Sequence, residues 1–292
     1  MIEIKHLTKD YGNQKGVFDL SLEVAESEVF GFLGPNGAGK TTTIRNLLGF
    51  IKPTSGQCYI DAFDCWQDAA KIQTFSSYLP GEIAFIDEMK GMEFIKFIAE
   101  MNGLKSLAKA NELISYFELD TRGSIRKMSK GTKQKIALVC TFMLDSKVII
   151  LDEPSSGLDP LMQNKFIDLV LLEKKKGKTI FMSSHIFEEI EKCCDRTAII
   201  KDGKLVAIEK MDDLKKSKRK IYDINFVDEM QAKSFVETIK TFDKINDSNV
   251  TVSVIGDINP LLQLLAKYDV VDLSVRTQSL EELFLHYYGG ND

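Results

Sequence analysis

Residues 30–46 have the sequence FGFLGPNGAGKTTTIRN, in which four glycines and a lysine separate an apolar run from a helix-like run. The spacing from Gly34 through Gly39 and Lys40 to Thr41 matches G-x-x-x-x-G-K-[ST], the pattern of a loop that surrounds a phosphate chain. Because strand, loop and helix follow in the required order, the stretch predicts a nucleoside triphosphate site. A glycine turn with an incidental lysine is the alternative.

Each residue type in this loop has a predicted contact with the nucleotide. Lys40 is expected to reach the β- and γ-phosphates, the Thr41 hydroxyl to ligate Mg²⁺, and Thr42 to bond the α- or β-phosphate. The helix that begins near Lys40 adds the positive end of its dipole. The predicted binding residues of the loop are Gly34, Pro35, Asn36, Gly37, Ala38, Gly39, Lys40, Thr41 and Thr42.

A second candidate element is KVIILDEP at residues 147–154, a continuous apolar run that ends in two carboxylates. Such a run is typical of a buried parallel strand. A strand parallel to the one before the phosphate loop brings Asp152 to the same edge of the sheet, where it can hold the water shell of Mg²⁺. Glu153 is expected to orient or deprotonate the attacking water. The end of an ordinary core strand is the alternative, but with the loop upstream we predict hydrolysis.

The composition favours a cytosolic protein, or one that docks on a membrane from the cytosol. The 292 residues are 44% hydrophobic and 28% charged, and the formal net charge of −5 disfavours binding of nucleic acid through overall electrostatics. The longest apolar run, residues 136–144, is shorter than the ~20 residues that span a bilayer. The five cysteines form no CxxC pair, which is typical of reduced thiols.

The order of predicted elements indicates two domains. A β-rich start, a helical subdomain at about 82–145 and alternating strands and helices predict an α/β domain over residues 1–215. The charged stretch MDDLKKSKRK is interpreted as a linker, with a membrane or nucleic-acid patch as the alternative. Beyond it, alternating apolar runs with helices between them predict a small α+β domain at 216–292. Its last helix opens with a capping box from Ser279 to Glu282.

Met128-Ser-Lys-Gly-Thr-Lys-Gln-Lys135 precedes an apolar helical run and resembles the signature loop of ABC ATPases, usually written L-S-G-G-Q. The motif order also fits that family, since Ser156-Gly-Leu-Asp159 follows the carboxylate strand and Phe181-Met-Ser-Ser-His185 follows later. The resemblance covers residues 1 to about 215. It implies a P-loop NTPase fold of ABC type, with a RecA-like core and a helical subdomain, and ATP with Mg²⁺ as its ligands.

Ser129 lies where the N-cap of the following helix belongs. Its hydroxyl, the Gly131 backbone and the helix dipole are therefore expected to form a second anion site. In ABC ATPases this site faces the γ-phosphate bound to the opposite subunit. The resemblance thus implies that two ATP molecules lie between two chains, so the working unit needs a second copy or a homologous ATPase subunit.

Three further residues match positions of the family. Tyr11 matches the aromatic residue that stacks on adenine, and His185 matches the histidine that contacts the γ-phosphate. Asp159 matches the loop that links the two sites across the dimer. An exposed turn tyrosine, a histidine without a role and an ordinary helix cap are the respective alternatives.

The sequence departs from the family at two places. Lys130 and Thr132 replace usual signature residues, and Lys-Gly variants resemble those of exporter-type subunits. Where the family has a glutamine that touches Mg²⁺, this chain has Gly81, with Glu82 beside it, so a substitution by Glu82 stays open. Residues 80–89 are the predicted surface for a transmembrane subunit.

These observations predict an ATP-binding and ATP-hydrolysing subunit of an ABC transporter of the ABC-2 exporter type. It is expected on the cytoplasmic side of the cell membrane, beside an integral membrane permease, with no nucleic-acid partner. The alternatives are a soluble ABC-type ATPase that acts on ribosomes or DNA, and a regulator that binds ATP without turnover.

Overall fold

The structure is a computed structural model that describes residues 1–239 and 242–288, the side chains of residues 285–288 excepted. Within the predicted domain at 216–292, residues 240, 241 and 289–292 lie outside the described part. The chain divides into two compact units, Met1–Met211 and Asp212–Asp292. The division falls inside the charged stretch, slightly before residue 215.

The first unit begins with an antiparallel sheet of order β2-β1-β4-β5. Its strands are β1 Ile2–Asp10, β2 Gly16–Val24, β4 Ser55–Ile60 and β5 Phe63–Asp64. Alternate residues of β1 and β2 point into the core, for example Ile4 and Leu22, which pair across the strands. This sheet is the β-rich N-terminal part that the sequence predicts.

A six-stranded sheet of order β10-β9-β3-β8-β7-β6 forms the centre of the first unit. Its strands are β3 Val29–Leu33, β6 Ser76–Leu79, β7 Val148–Asp152, β8 Thr179–Ser184, β9 Arg196–Lys201 and β10 Lys204–Lys210. All neighbours are parallel except β9 and β10. Every residue of β3, β7 and β8 is buried, as expected for strands with helices on both faces.

The register of this sheet brings the functional loops to one edge. Leu33 at the end of β3 pairs with Ser184 of β8, and Asp152 at the end of β7 pairs with Ser183. Because the strands are parallel, their carboxyl ends meet there. The prediction that Asp152 shares an edge with the phosphate loop is confirmed.

Helices surround the central sheet and fill the segment between β6 and β7. The helices of the first unit are α1 Lys40–Leu47, α2 Ala69–Ile72, α3 Gly91–Met101, α4 Ala108–Tyr116, α5 Lys130–Phe142, α6 Pro160–Lys175 and α7 Phe187–Cys193, with a 3₁₀ turn at Ile125–Lys127; α8 Met211–Ser217 begins at the division between the units. Three of them, α3, α4 and α5, occupy the stretch where the sequence periodicity predicts helix. No helix among the described residues combines the length and the apolar character needed to cross a bilayer.

The second unit has the strand and helix order β-α-β-β-α-β, followed by a last helix. Its elements are β11 Lys220–Phe226, α9 Glu229–Ile239, β12 Lys244–Asn246, β13 Asn249–Val254, α10 Asn259–Leu265, β14 Val270–Thr277 and α11 Leu280–Tyr288. The antiparallel order β12-β13-β11-β14 is that of a ferredoxin-like fold. An aromatic cluster of Phe226, Phe235 and Tyr268 lies in its core, with ring centroids 5.0–6.0 Å apart.

The last helix starts as its sequence predicts. The Ser279 hydroxyl accepts a hydrogen bond from the Glu282 N–H at 3.1 Å, and a Glu282 carboxylate oxygen accepts from the Ser279 N–H at 2.9 Å. The two bonds form the predicted capping box, which fixes the start of α11 directly after β14.

Candidate nucleotide site

A cleft of about 1200 Å³ opens at the carboxyl edge of the central sheet. The phosphate loop and Glu153 line it on one side, and Tyr11 with the β1–β2 hairpin lines it on the other. The turn between β9 and β10, at residues 201–204, also lines it. The cleft is somewhat larger than the roughly 300–1,000 Å³ of common ligand pockets, so it has room for a nucleotide.

The phosphate loop is shaped by glycines at positions where a side chain does not fit. A Cβ at Gly34 would lie 2.4 Å from the carbonyl oxygen of Ile200 in β9, so the loop can pass there only without one. Gly37 has open space around it but a φ of +83°, which favours glycine. Gly39 is the N-cap of α1 and has no side chain, so the capping residue itself does not compete with an anion for the first turn.

Lys40 is buried and folds back on its own loop. Its Nζ donates to the carbonyl oxygens of Gly34 at 2.6 Å and Pro35 at 3.2 Å, and it lies 3.0 Å from Oε1 of Glu153. The ammonium group is therefore at the phosphate loop, as predicted. The ion pair with Glu153 was not predicted, and it occupies the ammonium group that is expected to bind the phosphates.

Asp152 connects the ends of two strands with the start of α1. Its Oδ2 accepts a hydrogen bond from the Thr41 hydroxyl at 2.8 Å, and its Oδ1 accepts from the Ser183 hydroxyl at 2.5 Å. The carboxylate is 1% exposed. Adjacent hydroxyl and carboxylate oxygens are the hard donors that Mg²⁺ prefers, so Thr41 and Asp152 fit this ion.

Thr41 and Asp152 would hold Mg²⁺ only together with a bound nucleotide. In the part of the chain that the structure describes, no group of three or more His, Cys, Asp or Glu side chains could hold a metal ion. Mg²⁺ commonly binds through one or two carboxylates plus waters and substrate phosphates. The residues therefore suit an ion that enters with a nucleotide.

Glu153 lies between two basic groups. One carboxylate oxygen faces Lys40, and the other, Oε2, lies 2.5 Å from Nδ1 of His185. The backbone of Glu153 has a φ of +49°, an uncommon value for a residue with a side chain, and its N–H donates to both the carbonyl oxygen and the hydroxyl of Ser183. Such strain is often found at functional positions.

A buried carboxyl group behind this pair was not predicted. Oε2 of Glu189 accepts a hydrogen bond from the Ser184 hydroxyl at 2.7 Å, and that hydroxyl in turn accepts from the Ile186 N–H at 2.9 Å. Burial raises the pKa of Glu189, while hydrogen bonds from Ser155 and Ser184 oppose the rise. Glu189 thus joins the loop that follows Glu153 to the residues that flank His185.

The signature loop packs against the loop after β7 of the same chain. Ser129 caps α5 as predicted, since its Oγ accepts from the Thr132 N–H at 3.1 Å. Nζ of Lys130 donates to the Ser156 hydroxyl at 2.8 Å, and a Cβ at Gly131 would lie 2.6 Å from the carbonyl oxygen of Gly157. Two loops that the resemblance places at the dimer interface are thus in direct contact.

The structure does not bring every predicted residue to the cleft. Ser129, Gly131 and Asp159 do not line it, and neither do Gly34, Ala38, Asp152 and His185. Asp159 instead caps α6, because its Oδ1 accepts from the Met162 N–H at 3.0 Å. Within this chain, Asp159 therefore acts as a helix cap, which is the alternative interpretation of this residue.

The far side of the cleft combines a predicted and an unpredicted element. Tyr11 is 55% exposed at the rim, and Nζ of Lys9 lies 5.5 Å from its ring centroid. The turn at residues 201–204 was missed. Gly203 joins it to both sides of the cleft, as its N–H donates to the Ala38 carbonyl at 3.0 Å and its carbonyl accepts from the Phe18 N–H at 2.8 Å.

Gly81 lies beside the predicted metal ligand. A Cβ added there would be 3.5 Å from the Asp152 carboxyl group, an ordinary contact, so the loop after β6 runs directly past this carboxylate. Glu82 is exposed, and within the described residues it has no hydrogen bond or ion pair. Its side chain therefore makes no direct bond to Thr41 or Asp152.

Comparisons with known proteins agree on one family. The sequence profile of the ABC transporter family matches residues 17–156. The bacitracin transport ATP-binding protein BcrA of Bacillus licheniformis is 34% identical over 99% of this chain and 98% of that protein. The linearmycin resistance ATP-binding protein LnrL of Bacillus subtilis is 29% identical over 99% of this chain and 98% of that protein.

Solved structures give the same result for the fold. The structure of an ATP-binding subunit of an ABC transporter has a TM-score of 0.67 and 30% identity, covering 74% of this chain and 92% of that chain. The dimeric cassette MJ0796, bound to ADP and Pi after hydrolysis, has a TM-score of 0.65 and 22% identity, covering 72% of this chain and 99% of that one. The second likeness concerns the fold alone.

Proposed function

Since this chain belongs to the family of ABC transporter ATP-binding proteins, we propose that it hydrolyses ATP to ADP and phosphate in order to drive a separate membrane-spanning subunit. One observation carries the proposal. The Glu153 carboxylate lies 3.0 Å from the phosphate-loop lysine and 2.5 Å from His185, at the sheet edge where Asp152 ends its strand.

The roles of the residues follow from their chemistry. Glu153 is the general base, because a carboxylate fixed beside the phosphate loop can take the proton of the attacking water. Lys40 and His185 act on the γ-phosphate, where they stabilise the charge that develops during transfer. Thr41 and Asp152 would hold Mg²⁺, which would supply further neutralisation of the phosphate charge.

A second subunit completes the site in this proposal. Ser129 and Gly131 form an anion site at the start of α5 that is outside the cleft of their own chain. We assign it to the γ-phosphate held by another chain, with Asp159 in the contact between the two sites. Tyr11 then stacks on the adenine of the ATP bound in its own cleft.

The partner in the membrane is an integral membrane permease, and the ATPase lies on the cytoplasmic side of the cell membrane. The names of the two relatives, one of bacitracin transport and one of linearmycin resistance, support an exporter of the ABC-2 type. Residues 80–89, next to Asp152 through Gly81, are the surface for the permease. The ferredoxin-like unit is an accessory domain of this exporter.

The variant Glu153→Gln tests the proposal. It keeps the shape of the side chain but removes the base, so we expect it to bind ATP with Mg²⁺, to release no phosphate and to accumulate as a dimer on size exclusion. Glu188→Gln is the matched control, because Glu188 is an exposed residue of α7 whose one ion pair among the described residues is with Lys192 at i,i+4. Equal phosphate release by both variants would favour a site that does not use Glu153.

A further inference from the structure

The ferredoxin-like unit exposes one long edge of its sheet. The order β12-β13-β11-β14 leaves β12 and β14 at the edges, and β12 has 3 residues whereas β14 has 8. A long edge strand offers unpaired backbone groups to another strand. Natural proteins usually shorten or interrupt such an edge, as β12 illustrates.

The register defines which backbone groups of β14 point outward. The Gln278 N–H donates to the Arg219 carbonyl at 2.8 Å, and the same register pairs Arg276 with Ile221. In an antiparallel strand, the backbone groups of every second residue bond to the same neighbouring strand. The backbone groups of the even-numbered residues 272–278 therefore point toward β11. The backbone groups of the odd-numbered residues point outward. Accordingly, the one hydrogen bond that the Leu273 N–H makes among the described residues goes to Oδ1 of Asp272 at 2.9 Å.

Apolar side chains accompany this open edge. Leu273 is 40% exposed and Val275 is 59% exposed. They lie opposite Ile224 and Tyr222, which are buried in the core of the unit. The core face of the sheet therefore continues onto β14, where it is left uncovered.

The strand is complementary to itself. Residues 271–277 read VDLSVRT, and reversal about Ser274 places Leu273 opposite Val275 and Asp272 opposite Arg276. We propose that β14 pairs antiparallel with β14 of a second copy of this chain, around a twofold axis at Ser274. The contact joins the two C-terminal units into one continuous sheet.

The proposed register satisfies both the backbone and the side chains. Leu273 and Val275, whose backbone groups point outward, become the hydrogen-bonded pairs of the new ladder. Asp272 and Arg276 become cross-strand pairs of opposite charge, one on each side of the axis. A slip by two residues would leave both charges without partners, so the charges specify the register.

The side chain of Arg276 is already held in place by an ion pair. Its Nη1 lies 2.8 Å from Oε1 of Glu282 at the start of α11. A guanidinium group has five donors, so it can keep this bond and also bind a carboxylate of the second copy. The strand β14 contains none of the residues assigned to the nucleotide site, so failure of this contact would leave the proposed ATPase activity untouched.

Cysteine cross-linking of the full chain tests the pairing. At a non-hydrogen-bonded pair such as Ser274 with Ser274, Cα atoms lie about 4.5 Å apart, within the range of a disulfide. The five native cysteines are all buried, so the thiol of a Ser274→Cys variant is the exposed one. With diamide as oxidant, we expect a cross-linked dimer at low micromolar protein.

The matched control is Met230→Cys, since Met230 is 75% exposed on the helix α9 and is not part of the exposed sheet edge. Ser274→Cys should cross-link at least tenfold faster than this control, which reports random collision. Equal cross-linking rates of the two variants would overturn the proposal. They would mean that β14 either binds a different protein or binds no partner.

A mixture of two other variants tests the register without changing Ser274. Chains with Asp272→Cys, mixed with chains with Arg276→Cys, should form mixed dimers in excess over the dimers that either variant forms alone. Predominant self-linking of the Asp272→Cys chains would mean another register and would refute the twofold axis at Ser274.

Discussion

Substitution of Gly131 by alanine would separate the role of the signature loop from that of the cleft. The new Cβ would lie 2.6 Å from the Gly157 carbonyl oxygen, and such contacts essentially never fall below 3.0 Å, so the two loops have to separate by about 0.4 Å. Overpacking costs about 1–3 kcal/mol, and the better helix propensity of alanine returns about 1 kcal/mol. The free energy of unfolding should therefore fall by no more than about 2 kcal/mol.

The larger effect is expected in catalysis. A misplacement of 1 Å can cost about a hundredfold in rate, so a shift of about 0.4 Å should lower kcat roughly tenfold. ATP affinity should change less than twofold, because Gly131 does not line the cleft of its own chain. Phosphate release and equilibrium binding of a fluorescent ATP analogue measure the two quantities separately.

Gly123→Ala is the matched control for this experiment. A Cβ at Gly123 would have Met128 Cε, at 3.7 Å, as its nearest neighbour, so this variant should keep the kcat of the native chain. An unchanged kcat in Gly131→Ala, or a loss of ATP affinity alone, would refute the assignment of this loop to a second subunit's nucleotide.

Substitutions at three further residues test other parts of the site. Lys40→Ala should weaken ATP binding roughly tenfold to a hundredfold, since a hydrogen bond to a charged group contributes about 1.5–3 kcal/mol; unchanged binding by calorimetry would remove the loop from the site. Tyr11→Ala should weaken ATP binding while Tyr11→Phe preserves it, and equal losses would exclude stacking. Burial raises the pKa of Glu189 above its usual 4.5, so its contribution to stability is complete below pH 4.5 and is lost as the pH rises through the raised value. The free energy of unfolding of Glu189→Gln should therefore rise relative to that of the native chain as the pH increases from 4.5. A difference between the two chains in urea unfolding that does not change with pH would contradict this.

The parts of the site that the sequence predicts are those whose chemistry is local. The phosphate loop carries its own glycines, and Lys40 lies in the same stretch. The Ser129 cap and the capping box at Ser279 each depend on residues within one helical turn. The continuous apolar run also predicts that β7 is buried, because a strand that is apolar on both faces needs helices on both sides of the sheet.

The missed parts depend on contacts between distant segments. The strand β6 has only the four residues SSYL, too short and too polar to predict a strand of a parallel sheet. The turn at residues 201–204 reaches the cleft through Gly203, which lies far from the phosphate loop in sequence. Glu189 reads as one of several acidic residues in α7, and only the fold buries it against Ser184.

The ion pair between Lys40 and Glu153 means that the carboxylate and the phosphates of ATP compete for the same ammonium group. In the role proposed for Lys40, ATP displaces the carboxylate from the ammonium group, and the measured affinity then includes the free energy lost when this pair, 6% and 20% exposed, is separated. Glu153→Gln removes that competitor. It should consequently bind ATP more tightly than the native chain does, and part of its stability as a dimer would reflect a vacated lysine rather than slow turnover alone.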